Sequence, residues 1–172
     1  MRVRVQLYML IACVAFCLPA AAQDVHTDYD HQRDFSQYHT YSWTKIHTDN
    51  PLWQSRVQDA INNQLDKKGW QLMPSGGQVS LSAVGAVRNQ QEYRTFYSGM
   101  GGWGWGGGFG TQATTTVDNE RIGTLVVDMY DTASKQLVWR GVAEDTLSDK
   151  AEKNQGRLQK SVDKMLKDFP PK

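Results

Sequence analysis

The chain has 172 residues, with 19 Lys and Arg against 18 Asp and Glu. Both signs are scattered and no basic stripe occurs, which disfavours nucleic-acid binding. The two cysteines, Cys13 and Cys17, both sit near the N-terminus, so the rest of the chain forms neither a disulfide nor a thiolate site.

Residues 1–22 have the layout of a secretory signal peptide. Met1-Arg-Val-Arg4 is a basic n-region, Leu7 to Leu18 an apolar h-region, and Ala20-Ala-Ala22 a small-residue cleavage site before Gln23. The apolar run falls short of the roughly twenty residues a membrane-spanning helix needs. Cleavage near Ala22 removes Arg2 and Arg4 and leaves 17 Lys and Arg against 18 acids, a net charge of −1. The expected product is periplasmic or secreted. An outer-membrane lipoprotein is the alternative, because Leu10-Ile-Ala-Cys13 fits a lipobox that would make Cys13 an acylated N-terminus. Few residues precede Cys13 for a complete n-region and h-region, which favours the Ala22 site.

Residues 23–172 are of a size for one domain with one core. Val25 to Asp30 and Tyr38 to Thr44 are rich in β-branched and aromatic residues and predict two short strands. Asn50 as N-cap and Pro51 at the first turn open a helix, with Trp53, Val57, Ala60, Ile61 and Leu65 at helical spacing until Gly69. Trp70 to Met73 predicts a short strand and Pro74-Ser-Gly-Gly77 a turn. Val79 to Val87 alternates apolar with polar residues as a half-buried strand, and a separate strand is expected from Glu92 to Tyr97.

Gly99 to Gly110 changes character abruptly, with eight glycines in twelve positions, and reads as a long loop or hairpin tip. Thr111 to Val117 is again β-favouring. Ile122 to Asp131 and Gln136 to Thr146 predict a hairpin turning at Asp131 to Lys135. A last helix is expected from Ser148 or Asp149, with Leu158, Val162, Met165, Leu166 and Phe169 along one stripe, ending at Pro170-Pro171. The expected fold class is α+β: an antiparallel or mixed sheet of about six strands with two amphipathic helices packed on one face.

Val25-His-Thr-Asp-Tyr-Asp30 followed by Asp34-Phe-Ser-Gln-Tyr-His-Thr-Tyr-Ser-Trp43 resembles the opening of a bacterial envelope family, the domain of unknown function numbered 4136. Gly123-Thr-Leu-Val-Val-Asp-Met-Tyr-Asp131, Leu137-Val-Trp-Arg-Gly141 and Lys167-Asp-Phe-Pro-Pro171 look like its second block. The resemblance implies a secreted or lipid-anchored α+β domain and transfers no activity, substrate or catalytic set. Tyr41, Trp43 and Trp139 suit sheet faces, each burying apolar area while its polar tip finds a partner. Gly141 beside Arg140 marks a bulge or a close backbone approach.

Three groups invite a chemical reading. His26, Asp28, Asp30 and His31 are metal-ligating types, but alternation on a strand lets at most three converge, and His39 and His47 would have to be brought near by the fold. Asp128, Asp131, Glu144 and Asp145 cluster in the C-terminal hairpin as an acidic group, in the pattern of a solvent face. No G-x-S-x-G elbow and no H-E-x-x-H occurs, and the formal Gly99-x-Gly101-x-x-Gly104 lacks the strand-to-helix context of a dinucleotide site. No cofactor is implied.

The third group is Trp103, Trp105 and Phe109, large apolar side chains on a glycine-rich backbone and the candidate contact to a partner protein or an outer-membrane lipid surface. The expected function is a non-catalytic exported envelope module that binds a protein or lipid component. A small metal- or ligand-binding periplasmic protein using His26, Asp28 and Asp30 is the alternative, ahead of a cell-envelope hydrolase.

Overall fold

The computed structural model describes residues 23–98 and 112–171. The expectations for residues 1–22 and for Trp103, Trp105 and Phe109 lie outside the described residues. Within them the strands are β1 (Asp24–Tyr29), β2 (Thr40–Thr48), β3 (Gln71–Leu72), β4 (Val79–Ser98), β5 (Gln112–Asp131) and β6 (Leu137–Thr146). The helices are α1 (Leu52–Lys67) and α2 (Ala151–Met165). One open mixed sheet takes the order β1-β6-β5-β4-β2-β3. β2 runs parallel to β3 and β4, and the other pairs are antiparallel.

Side-chain alternation assigns the two faces. Leu81 and Ala83 of β4 stand opposite Met129 and Val127 of β5, which stand opposite Trp139 and Gly141 of β6. All but the glycine are buried and meet Val57, Ile61 and Leu65 of α1 and Val162 and Met165 of α2. Burying such an aliphatic side chain contributes about 1.5–3 kcal/mol. A bulge at Thr44 resets the alternation of β2, so that Ile46 joins Tyr41 and Trp43 on the core side. The Tyr41 hydroxyl and the Trp43 indole N–H both donate to Asn62 Oδ1 of α1, each at 2.9 Å, fixing that helix to the sheet.

An aromatic cluster seals one end of the core. Phe169 lies 5.0 Å from Trp70, 5.4 Å from Trp139 and 6.1 Å from Phe35 between ring centroids, and Tyr38 extends the group to Trp70. Neither described helix covers the opposite sheet face. Val84 is 42% exposed there, and Arg140 grips Asp128 through two bonds of 2.6 and 2.8 Å.

Helix ends depart slightly from expectation. Asn50 Oδ1 accepts the Leu52 N–H at 3.0 Å and Gly69 closes α1 at a φ of +80°, as expected. α2 starts later than expected, without a side-chain cap, because Ser148 is locked to Asn154 on both its N–H and its carbonyl and Asp149 is engaged by Arg121. The larger correction concerns the central strands. Val79–Val87 and Glu92–Tyr97 are one continuous strand, and Ile122–Asp131 continues the segment expected from Thr111 to Val117, of which residues 112–117 are described.

Three glycines test this packing. A Cβ on Gly77 would fall 2.3 Å from the Tyr41 carbonyl carbon, where β4 starts against β2, whereas one on Gly141 would fall 2.4 Å from the flexible Met165 side chain and 2.5 Å from the Trp139 ring. A Cβ on the helical Gly156 meets nothing within 4 Å. Urea unfolding is expected to rank Gly77→Ala as the most damaging, at about 3 kcal/mol or more, and Gly141→Ala at about 1–3 kcal/mol. Gly156→Ala is expected to add about 0.5–1 kcal/mol.

Candidate functional site

β2 accompanies β4 only as far as Gly85, and β6 accompanies β5 only as far as Ile122. From Asn89 opposite Arg121 to Ser98 opposite Gln112, β4 and β5 continue as a two-stranded arm with no third strand among the described residues. At about 3.3 Å per residue these ten pairs reach roughly 33 Å beyond the body. The segment holding Trp103, Trp105 and Phe109 joins the two ends of that arm.

Where the arm leaves the body, the N-terminal ends of α1 and α2 part above the sheet and leave a cleft of about 270 Å³. Trp53, Val57, Leu125, Ala143, Leu147 and Leu158 give it a mainly apolar lining. Gly85 and Gly123 sit in its wall, where a Cβ on Gly123 would come 2.9 Å from Leu147. The polar groups at the rim are mutually engaged. Asp49 accepts the Val87 N–H at 2.8 Å, and Arg121 donates to Asp149 at 2.7 Å and to the Ser148 carbonyl at 3.3 Å. Asp145 accepts from Gln23 Nε2 at 2.8 Å and from Arg157 at 3.4 Å. Nothing in the period-2 and period-3.6 patterns points to this cleft, which arises from how the helices splay.

The histidine–carboxylate group does not assemble. His26 and Asp28 share the helix-free face of β1, where His26 Nε2 is 2.8 Å from Asp24, both widely exposed. Asp30 lies beyond the strand and accepts the Gln32 N–H, and His31 packs on Tyr29 at 4.2 Å. Among the described residues no three His, Cys, Asp or Glu side chains gather closely enough to hold a metal.

The acidic group is divided in the same way. Asp128 is held by Arg140, and Glu144 accepts from Arg88 at 3.0 Å and from Thr124 at 3.1 Å. Asp145 belongs to the cleft rim. Asp131 builds the hairpin turn: it accepts from the Ser134 N–H and hydroxyl at 2.6 and 2.7 Å and from the Tyr38 hydroxyl at 2.8 Å. The Ser134 bonds, then that of Tyr38, lower its pKa to about 2. Burial, then the same Asp131 bond, pushes the Tyr38 hydroxyl up to about 12. Each carboxylate thus has its own structural partner, and none is paired with a second acid for proton transfer. No described helix is long and apolar enough to cross a membrane.

A family model described as Domain of unknown function (DUF4136) matches residues 25–171. No curated protein matches the sequence. Among solved structures, a PDZ domain protein from Parabacteroides distasonis is similar, with a TM-score of 0.59 at 14% identity, over 87% of this chain and 36% of that one. This chain therefore spans about a third of that protein's length. A PelC dodecamer from Paraburkholderia phytofirmans gives a TM-score of 0.50 at 15% identity, over 84% of this chain and 95% of that one. At these identities the likeness concerns the fold.

The Asp131 turn yields a pH test. Its folded pKa lies below the ordinary Asp value of 3.8, so its contribution is complete above about pH 4 and is lost as pH falls from there towards 2. Asp131→Asn is expected to cost about 1–2 kcal/mol at neutral pH, allowing for solvent screening, with the gap to wild type closing between pH 4 and 2. Urea unfolding at a series of pH values measures it.

Proposed function

The chain belongs to the DUF4136 family, and from that premise we propose that it is an exported, non-catalytic binding module that holds a protein or lipid component of the bacterial envelope. The single observation that carries this reading is the arm. A two-stranded ribbon is at best marginally stable alone in water, so ten pairs extending past the last flanking strand have their use in contact with something else. The residues joining the arm's ends include Trp103, Trp105 and Phe109, side chains that favour membrane interfaces and interaction hot spots. The separate engagement of Asp128, Asp131, Glu144 and Asp145 supports the absence of acid–base chemistry in this reading.

Export by the N-terminal signal, with cleavage near Ala22, belongs to the same proposal, as does the assignment of residues 23–172 to one domain. Acylation at Cys13 would anchor the same module to a membrane without changing its arm.

In-envelope cross-linking of tagged wild type and of a Trp103/Trp105/Phe109→Ser variant tests the reading. The expected result is a protein or lipid captured by wild type and lost from the variant, while the thermal unfolding midpoints agree. Equal capture by both, or capture by neither, contradicts the assignment of the arm's end.

A further inference from the structure

We propose that the cleft at the base of the arm is a binding site for one aliphatic chain, and that its occupant is an acyl chain of an envelope lipid. This inference stands independently of the contact proposed for Trp103, Trp105 and Phe109.

The chemistry of the lining sets the ligand class. A polar ligand is held by donors and acceptors, and the charged groups of this rim are already engaged with one another or with backbone. Asp49 is taken by the Val87 N–H and Arg121 by Asp149 and Ser148. Asn154 binds Ser148 at both ends of its amide, and Arg157 and Gln23 meet on Asp145. No buried side-chain nitrogen or oxygen among the described residues lacks a partner. Most of the surface that meets a guest is apolar, from Trp53, Val57, Leu125, Ala143 and Leu158.

Size and charge narrow the class. At about 30 Å³ per water-sized group, 270 Å³ holds about nine such groups, room for one chain of roughly that many methylenes. The rim cations are both matched, Arg121 by Asp149 and Arg157 by Asp145, so the mouth offers no surplus positive charge to a free fatty-acid carboxylate. An acyl chain whose head group stays outside fits better.

The location of the mouth supplies the source. Gln23 is the first described residue, and its side chain donates to Asp145 Oδ2 and to the Arg157 carbonyl, both residues of the cleft. Twenty-two residues precede it, with the apolar run Leu7 to Leu18 close by in sequence. In any form of the chain held to a membrane through that segment, the tether joins the body at Gln23, beside the cleft, which keeps the mouth within reach of lipid.

Trp53 in the lining gives a direct reporter, because bromine quenches indole fluorescence at short range. The full chain and the chain beginning at Gln23 are titrated in parallel with 11-bromoundecanol. A saturable component of quenching assigned to Trp53 is expected in both with Trp103 and Trp105 replaced by Phe, lost on the further change Trp53→Phe and weakened at least tenfold by Val87→Arg. Val87 lines the mouth and is 48% exposed, so that variant leaves the core intact. Dioctanoyl phosphatidylcholine below its micelle concentration is expected to relieve the quenching. Non-saturating quenching, or quenching equal in wild type and Val87→Arg, overturns the site. Failure of the phospholipid to compete overturns the lipid assignment. Quenching confined to the shorter chain also overturns it, because the chain's own leader would then be the occupant.

Discussion

The ladder between β4 and β5 runs in one register from Val79 opposite Asp131 to Ser98 opposite Gln112, and because side chains alternate with a period of two, that register fixes the face of every residue in both strands. Leu81, Ala83, Val127 and Met129 all fall on the side the helices cover. A slip of one residue in either strand would put Asp128 or Tyr130 of β5, or Ser82 and Val84 of β4, into the core. The outer strands take their places from this pair, β6 and β1 on one side and β2 and β3 on the other. The helices then follow: α1 is fixed through Asn62 to Tyr41 and Trp43, and α2 lies against Gly141, where the missing side chain admits Met165.

The two ends of the covered face differ for a packing reason. At one end Phe35, Tyr38, Trp70, Trp139 and Phe169 interlock, each ring filling volume that shorter side chains would leave open. At the other, Gly85 and Gly123 offer no side chain to meet the helix ends, and the cleft forms there. The arm departs from that looser end. The arm and the proposed lipid site therefore lie on the side of the body with the least packing to disturb.

Much of the body was legible because burial imposes a period. The α1 stripe Val57, Ala60, Ile61 and Leu65 is buried as its spacing requires, and Tyr41 and Trp139 are core residues at 1% and 2% exposure. The arm was not legible for the same reason in reverse. Arg88 to Gln91 and Asp118 to Arg121 have no apolar alternation and read as interruptions, yet Asn89 to Gln91 stand opposite Asn119 to Arg121 across the ladder. Neither described helix covers that part of the sheet, so neither selects an apolar face there. Of the chemical groups, His26 and Asp28 do share a strand face, but Asp30 leaves the strand and His31 turns to Tyr29. The cleft depends on contacts between residues as far apart as Asp49, Arg121 and Arg157, which local spacing does not encode.

The central claim is that the arm is built to be completed by contact while the body stands alone. Amide hydrogen exchange, followed with and without outer-membrane vesicles, addresses it most directly. The account predicts that without vesicles residues 89–98 and 112–121 exchange at least about a hundredfold faster than residues 81–83 and 125–129, and that vesicles slow the arm while leaving the body unchanged. Arm amides as protected as those of the body without vesicles, or unaltered by their addition, would contradict it.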